Sequence, residues 1–336
     1  MSRRSGTLLT AVVALAVAAL LVVQVAGPWA GDGASPYPRT KATPKLQLGV
    51  TTLSLARNAY QPWRARDLQE VNRFEQDARR HADIVMWFAD WAHTTSFDAR
   101  QAEAIAARGS VPEISWEPWD STKRLGAPQP RYRLARIIDG DYDAYITRWA
   151  TAIAAYGKPI RLRFAHEMNG RWYPWSERAN GNYPGEYARA WRHVHALFDA
   201  AGATNVTWVW SPVAGAVKRD LYPGSDEVDV IGVSGFNGGT HVFRGTWRTF
   251  DQAFVPTLET VHALDPGKPV ELSEVASAEA GGSKAAWIRT MFAEVRKRPW
   301  IRSLVWFNLR KESDWRIDSS ASAKRAFAEG INRAGR

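Results

Sequence analysis

The feature that most constrains this chain is an alternation that begins at Leu46: short apolar runs separated by stretches of helical period. The runs are Gln47–Val50, Ile84–Trp91, Val111–Trp116, Ile160–Glu167, Thr207–Pro212, Val228–Phe236, Pro269–Val275 and Ser303–Asn308. Between them, Glu186–Ala201 puts Tyr187, Ala190, Trp191, Val194, Leu197 and Phe198 on one helix face. Asp67–His81, Asp98–Arg108, Tyr142–Tyr156, Phe250–Leu264, Lys284–Lys297 and Ala321–Asn332 read the same way, and the piece after Pro212 is shorter. Eight strands alternating with helices predict a (β/α)8 TIM barrel over 46–336. An open doubly wound sheet is the alternative. No G-x-G-x-x-G follows the first strand, so nucleotide binding has no support.

A barrel of this kind carries its chemistry at the C-terminal ends of its strands. Those ends read Asp90-Trp91, Trp116-Glu117-Pro118-Trp119, His166-Glu167, Trp210-Ser211-Pro212, Ser234-Gly235-Phe236-Asn237, Ser273-Glu274 and Trp306-Phe307-Asn308. The opposite ends are mostly Gly, Pro and Lys turns. Carboxylates and indoles therefore gather at one mouth.

The densest of these ends is Arg161 through Ser176, which starts as an apolar/basic strand and finishes in a Gly- and Trp-rich loop. Alternation aligns Glu167 with Ala165, Arg163 and Arg161. A carboxyl beside indole rings is shielded from water, so its pKa rises and it can act as an acid near neutrality. The bland alternative is a structural carboxylate paired with Arg163. A zinc helix is excluded, because Gly170 stands where the second His would be needed. The partner carboxylate is Glu274, with Leu272 and Val270 on its face and Glu271 on the other as a bystander; its own alternative is a helix-facing side chain. Two glutamates about 5–5.5 Å apart would carry retaining glycoside hydrolysis. Gly232-Val233-Ser234-Gly235-Phe236 falls one residue short of a nucleophile elbow, because Phe236 stands where Gly is required.

Composition narrows the rest. Zero cysteines exclude disulfides, thiolate metal sites, cysteine nucleophiles and a lipoprotein anchor. The 17 Trp and 10 Tyr point to sugars or membrane interfaces. A net charge of +10 raises nucleic acid, but the basic residues are scattered along amphipathic segments, so none is expected. Arg3 and Arg4 precede an uncharged, mostly aliphatic run, Leu8 to Gly27, long enough to span a bilayer. Segment 1–27 is expected to be a signal peptide or a retained anchor that sends the remainder outside the cytoplasm, with 28–45 a linker. No cofactor or metal is expected, and the chain is expected to be a monomer.

At these residues the chain resembles glycoside hydrolase family 26, the mannanase and lichenase family within the clan of (β/α)8 retaining glycosidases. The resemblance runs from about Leu46 onward. Its most specific piece is Arg163 through Trp175, with the core His166-Glu167-Met168-Asn169-Gly170. Leu272-Ser273-Glu274 looks like the family's nucleophile strand, Tyr222-Pro223-Gly224 through Gly232 like its sixth-strand entry, and Trp306-Phe307 with Asp314 to Asp318 like its last strand and loop. The resemblance implies that Glu167 is the acid/base and Glu274 the nucleophile, with His166 and Trp172 shaping the cleavage subsite and Trp306 as its floor. Trp175, Trp91, Glu117, Phe236 and Arg163 complete the expected substrate-binding set. Ser234 and Phe236 stand where mannan-cleaving members carry Asp and Tyr, and Glu117 where a His is common. The implied activity is a retaining endo-β-glycanase acting on β-mannan, glucomannan or mixed-linkage β-glucan. The competing expectations are a non-hydrolytic polysaccharide-binding barrel and a basic surface protein that holds anionic polymers.

Overall fold

The computed structural model describes residues 45–241 and 245–334. The expected membrane segment and nearly all of the expected linker lie outside the described residues. Among the described residues no helix is long and apolar enough to cross a membrane.

The strands are β1 (Gln47–Thr52), β2 (Ile84–Asp90), β3 (Val111–Glu117), β4 (Ile160–Phe164), β5 (Val206–Trp210), β6 (Val230–Asn237), β7 (Val270–Ser277) and β8 (Ile301–Asn308). They close in sequence order into a parallel barrel, with β1 paired to both β2 and β8. The helices are α1 (Leu53–Arg57), α2 (Gln69–Ala78), α3 (Ala99–Ala106), α4 (Leu134–Ile138), α5 (Asp143–Tyr156), α6 (Glu186–Ala200), α7 (Phe250–Leu264), α8 (Lys284–Arg296) and α9 (Ala321–Ala334). The (β/α)8 barrel read from the alternation is the fold. The short piece after Pro212 forms single turns, Arg219–Leu221 and Ser225–Glu227, in place of a helix.

Strands sandwiched between interior and helices are buried on both faces, as in β2, apolar or aromatic from Ile84 to Ala89 and closed by a buried Asp90. The outer layer on the β2–β5 side is aromatic. Trp116 packs on Trp91, Tyr145, Trp149, Phe164 and Phe198, and Trp191 joins Phe164 to Trp208. Each well-oriented ring pair adds roughly 0.5–1.5 kcal/mol beyond its buried area. Much of the tryptophan content is therefore scaffold, and Trp172 is the one exposed tryptophan among the described residues.

The interior is polar. On β4, Arg161 and Arg163 both point inward. The Arg161 Nε donates to Glu113 of β3 at 2.6 Å, and its Nη2 reaches Glu271 of β7. Since β4 and β7 are not neighbours, that ion pair crosses the barrel. Arg163, one layer nearer the mouth, donates to Ser115 Oγ at 2.8 Å, to Ser234 Oγ at 3.2 Å and to Glu274.

This arrangement overturns the expected parity of β7. Glu271 is not a bystander: it is fully buried in the interior, and it also accepts from the Ser303 and Ser273 hydroxyls. Gly232 and Ser234 of β6 lie opposite Glu271 and Glu274, so three steps on β7 match two on β6. That β-bulge is what lets both glutamates face inward. Gly232 makes room for it: a Cβ there would lie 2.1 Å from Ser273 Oγ and 2.8 Å from Ser211 Cβ.

Candidate active site

The first carboxylate is placed by a break in β4. The strand stops at Phe164, three residues earlier than its apolar pattern implies, and Ala165 and Glu167 then take left-handed backbone, with φ 45° and 56°. Such conformations cost a non-glycine residue roughly 1–2 kcal/mol. Two backbone bonds hold them: Ala165 N–H donates to Trp116 O of β3 at 3.0 Å, and Glu167 N–H to Ser211 O beyond β5 at 2.7 Å. Glu167 therefore reaches the mouth by a strained turn spanning two neighbouring strands, not by simple alternation. Asn169 fixes the following loop, donating to Val213 O at 2.8 Å and accepting from Val213 N–H at 2.8 Å.

The two glutamates sit in unequal surroundings. Glu167 is buried and accepts from the Trp172 indole N–H at 3.0 Å. Burial, together with the nearby Glu274 charge, pushes its pKa up to about 7; Arg163 and hydrogen bonds from Ser234 and Trp172 oppose the rise. Burial also raises Glu274, but that carboxylate rests directly on the Arg163 guanidinium, which favours its ionised form. Between the two, the proton belongs on Glu167 and the charge on Glu274. Such a split matches a general acid facing an ionised partner. Glu117 is buried close by, and its desolvation lifts it to about 8. His166 Nε2 lies 3.9 Å from Glu117 Oε1 and 4.0 Å from Glu274 Oε1. Burial, reinforced by Arg163, holds the His166 pKa well below its usual value, so the ring is neutral.

Two exposed aromatic side chains edge the mouth. Trp172 stands on the β4 side. Phe236 of β6 meets Phe307 of β8 at 5.0 Å and Trp315, from the loop after β8, at 5.4 Å. Among the described residues one group has the donors for a cation, Asp90, His93 and Asp120. Its oxygens are already engaged: Asp90 accepts from His93 N–H at 2.8 Å and Ser121 N–H at 2.9 Å, and Asp120 from Thr122 N–H at 3.0 Å.

A family model for glycosyl hydrolase family 26 matches residues 119–264, which include Glu167 and stop short of Glu274. Endoglucanase H of Acetivibrio thermocellus is 38% identical over 272 residues, covering 78% of this chain and 29% of that protein. The chain belongs to glycoside hydrolase family 26. A mannan endo-1,4-beta-mannosidase of Bacillus subtilis is 27% identical over 233 residues, covering 64% of this chain and 60% of that protein. The chain thus spans less than two thirds of the length of either relative. An endo-beta-1,4-mannanase double mutant of Cellulomonas fimi shares the fold, with a TM-score of 0.63 at 18% identity over 85% of this chain and 70% of that one.

Within this family 26 barrel, several expected substrate contacts lie elsewhere. Trp306 is not a floor. Ser303 faces inward, so Trp306 faces out, fully buried against Trp287 of α8 and Phe327 of α9, with its N–H on Trp315 O at 2.9 Å. Phe307, one residue on, has the inward parity. Trp91 packs among Trp116, Tyr142, Tyr145 and Phe164, which makes it part of the scaffold. Trp175 is fully buried, donates to His166 O at 2.6 Å and stacks on Tyr173 at 4.3 Å, so it supports the site from behind. Arg163 lies beneath Glu274 with no exposed surface. The structure does bring Glu167, Glu274, His166, Glu117 and Trp172 together. Tyr173, Phe307, Trp315 and Ser234 join the site without having been singled out as contacts. Tyr173 lay inside the densest stretch, and Phe307 was recoverable by counting from an inward Ser303.

Proposed function

We propose that the chain is a retaining endo-β-glycanase, with Glu274 as nucleophile and Glu167 as acid/base. The observation that carries this reading is the unequal pair of buried glutamates, Glu274 within β7 on a guanidinium and Glu167 just beyond the end of β4 on an indole N–H. Glu167 protonates the glycosidic oxygen as the sugar–oxygen bond breaks, while a Glu274 oxygen attacks the anomeric carbon and forms a glycosyl-enzyme. Glu167, now ionised, takes a proton from water as that water displaces Glu274, which restores both groups. Arg163 supplies the hydrogen bond to the nucleophile that Phe236 cannot. This favours a cutting enzyme over a barrel that only binds polysaccharide.

The substrate class we favour is β-glucan, mixed-linkage glucan in particular, over β-mannan. In support, the more similar of the two relatives bears the name endoglucanase, and Ser234 and Phe236 depart from the mannan-cleaving pattern. The test is release of new reducing ends from lichenan, cellulose, glucomannan, β-mannan and xylan. The reading expects the fastest release from lichenan. Faster release from pure β-mannan contradicts the substrate choice, and retarded mobility without new ends on any polymer contradicts the enzyme. The proposal also places the barrel outside the cytoplasm, delivered by the run Leu8 to Gly27; full-length chain in the soluble cytoplasmic fraction contradicts that placement.

A further inference from the structure

The His166-Glu167-Met168-Asn169-Gly170 core has a glycine that no backbone demand explains. Gly170 is absent from the glycines with positive φ, so its conformation is open to any residue. Its N–H donates to Glu167 O at 2.9 Å, a bond alanine would keep. What an alanine could not keep is the space. A Cβ at 170 would lie 2.7 Å from Trp172 Cζ2 and 2.8 Å from both Cε2 and Cη2, with three rigid ring atoms in the way. Carbon atoms prefer separations of about 3.5–4.0 Å, so the indole would have to move by roughly 0.7–1 Å. Cε2 carries the Nε1 that donates to Glu167 Oε2 at 3.0 Å, and a shift of that size takes the pair out of good hydrogen-bonding range.

The loop around this contact has little slack. Asn169 is pinned to Val213 on one side, and Trp172 O accepts from Gly126 N–H at 2.8 Å on the other. The indole cannot yield by carrying its backbone along. We propose that Gly170 is a positioning residue: its missing side chain is the slot in which the Trp172 ring lies, and through that ring it sets the N–H that aims Glu167. This rests on reading Glu167 as the acid/base.

The proposal is tested by a double-variant cycle on β-glucan. Gly170→Ala should lower kcat/KM about tenfold or more, as misplacement near 1 Å at a reacting group does. In a Trp172→Ala background the same change should cost less than about twofold, because nothing remains to be displaced. Equal losses in both backgrounds would mean that glycine serves the backbone, which overturns the proposal. The alkaline limb of kcat/KM should move to higher pH in Gly170→Ala and in Trp172→Phe alike, since an N–H donated to a carboxylate favours its ionised form. A second readout does not depend on turnover. The Trp172 indole N–H resonance, assigned by its loss in Trp172→Phe, should follow the titration of Glu167 in the unmodified protein and cease to do so in Gly170→Ala. An unchanged resonance in Gly170→Ala overturns the positioning role even if catalysis is altered. An unmodified protein that cuts no polysaccharide but shows the expected resonance change contradicts the glycanase reading and leaves the slot standing.

Discussion

At the scale of single residues, two tryptophans that the sequence sets side by side as substrate contacts do different work. Trp306 is buried among α8 and α9 side chains, while Trp172 is 37% exposed and bonded to Glu167. Trp306→Ala should therefore cost about 3–5 kcal/mol of stability, as expected for emptying a large buried ring site. Trp172→Ala should leave the denaturation midpoint nearly unchanged and reduce turnover on polysaccharide. Chemical denaturation and steady-state rates on the two variants separate these effects; a stable but inactive Trp306→Ala would restore that indole to the substrate. The residue types at the mouth were legible in the sequence because strand ends are short and chemically distinctive. Which of them face substrate was not, because parity at a strand end depends on bends that no apolar pattern records. Counting inward from the apolar Leu272 misassigns Glu271, and the family resemblance points to Trp306 where the structure has Phe307 facing inward.

At the scale of elements, the alternation located all eight strands, because buried parallel strands must be apolar and their covering helices amphipathic. It could not show the β7 bulge or the left-handed pair Ala165 and Glu167, both of which are held by contacts from other strands. Nor could it show that the barrel interior is built on ions. Arg161 joins Glu113 and Glu271 below the layer in which Arg163 holds Glu274. Burial and the Glu271 charge push Glu113 up to about 7, against the opposing pull of the Arg161 guanidinium that the two carboxylates share. Arg161→Met should destabilise the fold by about 3–5 kcal/mol, the usual result of stranding buried partners of an ion pair. Adding Glu113→Gln and Glu271→Gln should return part of that loss. Guanidinium denaturation of the single and triple variants checks this, and a neutral Arg161→Met would mean that the buried ion pairs add no net stability.

At the scale of the molecule, the fold separates structure from chemistry along the barrel axis. Aromatic rings seal the strands to the helices, arginine layers fill the interior, and the two glutamates sit above them, Glu167 just past β4 and Glu274 within β7. In the proposed mechanism a Glu274 oxygen attacks the anomeric carbon of the sugar and forms the glycosyl-enzyme. The direct measurement is to trap the glycosyl-enzyme with an activated 2-fluoro β-glucosyl or β-cellobiosyl reagent, digest it and map the labelled peptide. A slow second step lets the ester accumulate when the nucleophile is a carboxylate on the enzyme. The label is predicted on Glu274. A label on Glu271, Glu117 or Asp90 would contradict the account, as would a natural-substrate product of inverted anomeric configuration.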